Sequence, residues 1–417
     1  MSPDGTDRSP ADPSAGRAIV LVVPTVPLPG GNGLAMRAGA WLQSLARAAP
    51  VHVVVVPVAD AAGRPAWARV GAASYTEIAP VGPDEAQRHV IAQLGDPGWR
   101  DALRATAPLP IRATLAPPSL ADEAAAALAS LLAGVPPVVA VMREYLVPFG
   151  AALARALDAH RFVVDLDDDV EALLAATGDH EEAAAYGRLA RTWLPRADAV
   201  TLASEAEAAA VARRHGLAHV MAVPNTVAAA PVVAPRPRAD RILFVGNFTY
   251  APNAAAAGLL AHEVLPRVRR TRPHATVDLV GAAGGDVAGL AACDGVTVHG
   301  HVADVAPHYA ATAVVTAPLT AAGGTRIKLL EAFAHRRPVV ATPAAAAGLT
   351  VADGRELVLA GDAAGVADAI VRVLTDDALA DRLVEAAATI LHDRYAPDVV
   401  APLARRAVLG DEAGGDG

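Results

Sequence analysis

Short runs of apolar and β-branched residues alternate with helix-forming stretches along nearly the whole chain. That alternation is the pattern of parallel sheets covered by helices, because a parallel strand returns to the same end only through a crossover. Six runs in the first half read as strands, over residues 18–23, 51–57, 138–142, 161–166, 199–202 and 220–223. They are close to continuously apolar, as strands buried on both faces must be. Helical stretches fall at 34–48, 120–132, 147–159 and 205–214. A second series follows, with strands over 241–245, 276–280, 296–299, 313–317, 338–341 and 356–359 and helices over 253–270, 325–334 and 363–374. The fold class is therefore α/β: two Rossmann-like, doubly wound parallel-sheet domains facing a cleft. Ligands then belong at the carboxyl ends of the strands.

Val223-Pro224-Asn225-Thr226 closes the first series, and the Pro-rich stretch after it reads as a linker. The expected organisation is a disordered tail over 1–16, a first domain over 17–225, a linker over 226–239, a second domain over 240–392, and a final helix and tail over 393–417. The helices from about 377 onward are expected to trail the second domain. Residues 63–118 are punctuated by Pro and Gly and read as an insertion or a lid. A formal charge of -9 disfavours a nucleic-acid partner, which wants a basic face. The single cysteine, Cys293, can form neither an internal disulfide nor a cysteine-based zinc site, and a cytoplasmic location is expected. No apolar run approaches the roughly 18 to 20 residues needed to cross a bilayer.

The segment from Pro318 to Ala334 carries the most chemistry. A strand ends, the small residues Ala321-Ala322-Gly323-Gly324-Thr325 follow, and a helix opens with Arg326, Lys328 and Glu331. Glycines let a backbone approach a ligand closely, and the first N–H groups of a helix favour an anion. Arg326 and Lys328 add positive charge that suits a diphosphate. Lys328 and Glu331 are three apart and share a helical face. Glu331 is placed to accept hydrogen bonds from vicinal hydroxyls such as those of a ribose. The alternative is a solvated Lys–Glu pair after an ordinary loop.

This stretch, followed by His335-Arg336-Arg337-Pro338-Val339-Val340-Ala341-Thr342-Pro343, resembles the donor-site signature of the family 4 (group 1) glycosyltransferases with the GT-B fold. Phe244-Val245-Gly246-Asn247-Phe248 with Pro252-Asn253, Val298-His299-Gly300-His301-Val302-Ala303-Asp304 and Val223-Pro224-Asn225 extend the resemblance over most of residues 220–390. It implies transfer of a sugar, with retention, from a nucleoside diphosphate sugar to an acceptor. The second domain would bind the donor and the first the acceptor. Glu331 matches the second Glu of the family's Glu-x(7)-Glu motif and would contact the ribose. Arg326 and Lys328 would meet the diphosphate, with Gly323, Gly324, Thr325 and the backbone of Gly246 and Asn247 around it. His301 and Val302 would hold the base. The sequence departs from the pattern at three places: Gly323 stands for the first Glu of the motif, Arg336 for a helix-ending glycine, and the loop 246–250 has neither Arg nor Lys.

Three segments of the first half end strands where an acceptor would lie. The glycine-rich turn 24–33 supplies Gly31 and Asn32 and opens the helix with Arg37; a tight strand-to-helix turn is its plain alternative. Arg143 and Glu144 follow a strand at 142. Asp165-Leu166-Asp167-Asp168-Asp169 follows another, with Asp167 as the acceptor-side candidate and helix capping as the plain reading of the run. No metal site and no cofactor are expected, since cations and helix dipoles would serve the departing diphosphate. There is no His-Glu-x-x-His, no Gly-x-Ser-x-Gly and no Walker sequence, which argues against hydrolase and P-loop roles. The rival readings are a GT-B scaffold without catalysis, supported by Gly323, and an epimerase or phosphorylase on the same fold. Membrane contact is open but unsupported, because the helix at 34–48 carries only Arg37 and Arg47.

Overall fold

Two parallel sheets organise the protein, described here by a computed structural model over residues 17–58, 71–79, 109–230, 233–320 and 326–411. The expected tail at 1–16, most of the expected insertion at 63–118, and Gly323, Gly324 and Thr325 lie outside the described residues. The first sheet has seven strands: β1 (Ile19–Val23), β2 (Val51–Val55), β3 (Ser74–Glu77), β4 (Val138–Met142), β5 (Arg161–Asp167), β6 (Ala199–Leu202) and β7 (Val220–Ala222), in the order β3-β2-β1-β4-β5-β6-β7. The second has six: β8 (Arg241–Val245), β9 (Thr276–Val280), β10 (Val296–Gly300), β11 (Val314–Ala317), β12 (Val339–Ala341) and β13 (Val358–Leu359), in the order β10-β9-β8-β11-β12-β13. Every pairing is parallel, so all carboxyl ends of a sheet lie along one edge. Strand order reverses between β1 and β4 in the first sheet and between β8 and β11 in the second, which opens a crevice at each of those points.

The helices that matter below are α1 (Gly33–Leu45), α2 (Ala121–Leu132), α3 (Val147–Ala156), α4 (Val170–Ala176), α5 (His180–Trp193), α6 (Glu205–His215), α7 (Ala251–Leu259), α8 (Ile327–Ala334), α9 (Ala363–Thr375), α10 (Asp377–Ile390) and α11 (Pro397–Leu409). Local chemistry starts many of them: Asn32, Asp169, Asp179, Ser204, Asp362 and Asp376 each cap a helix with a side-chain oxygen. The expected single helix over 253–270 is α7 continued through a π turn, Leu260–Val264, into Leu265–Val268. Pro266, which has no N–H to donate, stands just beyond that wide turn.

One apolar cluster fills both faces of the second sheet, and two others pack the two faces of the first. The last helix departs from the expectation that the terminal helices stay with the second domain. Residues of α10 do belong to the second core, but α11 packs against α1, β4, β5 and β6, and its Val400, Ala404, Ala407 and Val408 belong to a core of the first domain. Ser44 of α1 donates to the Ala401 carbonyl, and Arg161 of β5 to that of Ala407. The Pro-rich segment is fastened to the second domain: the buried Arg337 guanidinium donates to the carbonyls of Ala234 and Tyr309, and Arg236 pairs with Asp377. Among the described residues no helix is long and apolar enough to cross a membrane.

Candidate functional site

The second-domain wall is a row of strand ends forced into close approach. Gly281, after β9, has φ +139, and a Cβ there would lie 1.9 Å from the Gly246 carbonyl oxygen, so only glycine fits. The N–H of Gly281 donates to Gly300, which turns the chain at φ +69 before His301. His301 is exposed and Val302 half-buried against the second core. The N–H of Gly246 donates to the Val280 carbonyl at 3.0 Å, so it is not free for a phosphate as the sequence suggested. Asn247 closes a turn on itself, its Oδ1 accepting from the N–H and hydroxyl of Thr249.

Arg326, which caps the start of α8, and Lys328 and Glu331 on it come together facing that row. Lys328 donates from Nζ to Asn253 Oδ1 at 2.7 Å and lies over the Phe244 ring at 5.1 Å. The Nε and Nη2 of Arg326 are shielded from solvent and have no hydrogen-bond partner among the described residues. Neither cation makes an ion pair among the described residues. Burial, with the neighbouring Arg326 charge, pushes the Lys328 amine down to about 7. Burial lifts the Glu331 carboxyl to about 7, against the Tyr309 hydroxyl and the Lys328 charge that favour ionisation. Tyr309 is itself fully buried, 3.5 Å from Glu331 Oε2. Lys328 and Glu331 thus carry charges that burial disfavours and that Asn253, Tyr309 and each other offset only in part, a state an anion carrying hydroxyls would relieve further.

The opposing wall is built from β4, β5 and the turn before α1. A Cβ on Gly33 would lie 3.3 Å from Ile327 Cδ1, so this turn abuts the start of α8. Gly31 is at φ +111 in the open turn, while the Asn32 side chain accepts from the Ala35 N–H at 2.9 Å as a helix cap. Arg143 (φ +79) and Asp167 (φ +67) are non-glycine residues in the left-handed region at neighbouring strand ends, where such strain is costly. Arg143 Nη1 holds Asp167 at 3.0 Å and Asp168 at 2.7 Å. Burial raises the Asp168 carboxyl, opposed by the charges of Arg143 and, from the other domain, Arg326. Tyr250, exposed in the turn before α7, also interacts with Asp168, Arg326 and Arg143.

Two first-domain candidates are corrected. Arg37 does not line the cleft: it is buried, gripping Asp165 by two hydrogen bonds and reaching Asn225 Oδ1 at 3.1 Å. Glu144 is buried as well, with Oε2 lacking a partner among the described residues, and burial plus the charges of Asp169 and Asp168 holds its carboxyl well above the usual range. The carboxylates of the acidic run have protein partners: Asp165 is held by Arg37 and Thr201, Asp167 and Asp168 by Arg143, and Asp169 by Arg214. Among the described residues no three His, Cys, Asp or Glu are placed to hold a metal ion. Sequence reasoning quotes Asp168 and Asn253 only within motifs and assigns no role to Tyr250 or Tyr309. Asp168 and Asn253 had signals in the acidic run and the Pro-Asn pair; the two tyrosines had none.

Comparison with solved structures decides the architecture. HepE of Anabaena, in complex with UDP-glucose, superposes with a TM-score of 0.67 over 94% of this chain and 99% of its own, at 15% identity. Sucrose-phosphate synthase of Thermosynechococcus elongatus superposes with a TM-score of 0.68 over 95% and 100%, also at 15% identity. The fold is GT-B. A glycosyltransferase of Rickettsia africae shares it, with a TM-score of 0.61 over 94% and 99% at 11% identity. Residues 239–376 match the family model of the group 1 glycosyl transferases, so the matched segment covers β8 to β13 and α8 of the GT-B second domain. No curated protein matches the chain by sequence.

Proposed function

We propose that the chain is a glycosyltransferase that moves a hexose from a nucleoside diphosphate sugar to an acceptor on the first domain, with retention and without a resident metal. The observation that carries this reading is the pair of cations at the start of α8, Arg326 and Lys328, with no carboxylate ion pair among the described residues, beside a carboxyl placed for ribose hydroxyls. The group 1 match over the same domain and the UDP-glucose bound by HepE support the donor class.

In this mechanism the bond from the anomeric carbon to the diphosphate oxygen breaks and the acceptor oxygen bonds to that carbon on the same face. The acceptor proton passes to the leaving phosphate oxygen, so no protein base is required. Arg326 and Lys328 stabilise the charge growing on the diphosphate; preorganised donors of this kind contribute roughly 2.7–4 kcal/mol each. Arg143, holding Asp167 and Asp168 on the opposite wall, shapes the acceptor side. Apposition of the walls excludes water that would otherwise hydrolyse the donor.

A thermal-shift screen of UDP, GDP, dTDP and ADP with their sugars tests this. The matching nucleotide at about 100 times its Kd should stabilise the fold by about 2.7 kcal/mol. Failure of every nucleotide to raise Tm would remove the assignment.

A further inference from the structure

Asn253, in the first turn of α7, is 7% exposed and joins two groups of opposite hydrogen-bonding character. Its Nδ2 donates to the Asn247 carbonyl at 2.8 Å, and its Oδ1 accepts from Lys328 Nζ at 2.7 Å. A carbonyl only accepts and an ammonium only donates, so the residue between them must offer one donor and one acceptor. A carboxylate has no donor and a hydrocarbon has neither, whereas a carboxamide offers both on separate atoms. The same side chain touches the Gly246 wall, where a Cβ would lie 3.3 Å from Nδ2 and 3.4 Å from Lys328 Nζ.

We infer that Asn253 is a positioning residue for the diphosphate: its uncharged carboxamide aims the Lys328 ammonium along the strand-end row while leaving that charge unneutralised for an incoming anion. The inference rests on the donor reading above and deepens it. Every element packed on Lys328 is consistent with the role. The α7 side presents the neutral amide, and β8 the Phe244 ring and Gly246. The charged groups in reach are Arg326, which repels, and Glu331 on its own helix, which attracts without forming an ion pair. An Asp at 253 would compete with phosphate for the ammonium; a residue without an acceptor would let the side chain swing and leave Nζ unpartnered.

The test is calorimetric titration of the full chain with UDP, GDP, dTDP and ADP from about pH 6 to about pH 9, followed by the best binder on Asn253→Asp and Asn253→Ala. Both variants are expected to lose about tenfold or more in affinity at the acid end. Wild-type affinity should fall with rising pH as Lys328, at about 7 in the free protein, loses its proton. The ligand's own ionisation is common to all proteins and cancels in the ratios. Relative to wild type, that fall should move upward in pH in Asn253→Asp and downward in Asn253→Ala, opposite shifts that general structural damage does not produce. If Asn253→Ala does not fold, Asn253→Ser, too short to reach Nζ, replaces it. Variants that bind like wild type, or weaken by a factor independent of pH, overturn the inference. A wild type that binds no nucleotide removes the donor reading itself, and the two failures are thereby distinct.

Discussion

Arg37 grips Asp165 through two hydrogen bonds, Nε to Oδ2 at 2.7 Å and Nη2 to Oδ1 at 2.6 Å, with both side chains 1% exposed. The pair ties α1 to β5, and Asn225, at the end of the first domain, joins it. Removing one partner leaves a buried charge, so Arg37→Ala should cost about 3–5 kcal/mol in urea unfolding. The nucleotide affinity of the folded variant should stay within about twofold of wild type. A loss of affinity without a loss of stability would return Arg37 to the ligand.

Lys328→Ala and Glu331→Ala should each lower kcat/KM for sugar transfer by about tenfold or more, equivalent to about 1.4 kcal/mol of transition-state stabilisation. Steady-state kinetics with the donor identified by thermal shift measures this. Full turnover in both variants would contradict the assigned roles.

The Lys328 amine titrates at about 7 in the folded protein and near its ordinary value, 10.5, once unfolded. Between these values the unfolded chain binds the extra proton, so the Lys328 contribution to stability rises with pH across that window and is flat below it. Lys328→Met lacks this dependence. Its stability relative to wild type should therefore be greatest below about pH 7 and diminish steadily above it. Urea unfolding at a series of pH values reads the difference, and a constant gap would show that Lys328 is not desolvated.

Arg336 occupies φ +52 directly after the helix that carries Lys328, where its guanidinium pairs with Glu385 on α10. Left-handed backbone costs a non-glycine residue about 1–2 kcal/mol, whereas an exposed pair contributes about 0–1. Arg336→Gly should raise stability by up to about 1 kcal/mol, after allowing for the freedom glycine adds to the unfolded chain. A clear fall in Tm would mean that the pair with Glu385 outweighs the backbone strain.

Gly281→Ala places a methyl against the Gly246 carbonyl and demands φ +139 of alanine. It should destabilise by about 1–3 kcal/mol and weaken nucleotide binding together, because the displaced wall backs Lys328. Thermal melts with and without nucleotide separate the two effects, and loss of stability alone would detach this wall from the ligand.

The strands were legible because burial on both faces leaves nearly unbroken apolar runs; β4, β6, β8 and β9 fall at the expected bounds. Ser74–Glu77 was not, because an edge strand with one neighbour is polar and short. Helices α4 and α5 were obscured by the Asp run and by Gly178-Asp179, which cap and punctuate rather than form apolar stripes. In the site, the α8 cations were visible since loop, helix start and charge are adjacent in sequence. Arg37 was misread for the opposite reason: its acid lies 128 residues away, and a cation after a glycine-rich turn looks the same whether it meets a ligand or a buried carboxylate. Asn253 reaches Lys328 across 75 residues, a distance no motif spacing encodes.

The path of α11 back onto the first sheet means that the polypeptide passes between the lobes twice, once near Thr226 and once near Tyr395. The two passages run side by side, since the Thr226 hydroxyl donates to the Tyr395 carbonyl at 2.6 Å. A lobe joined by one strand can swivel freely, but one joined by two adjacent strands pivots like a door on paired pins. Were the lobes to move apart, the paired passage would confine them to one swing and would bring Arg326 back opposite Asp168.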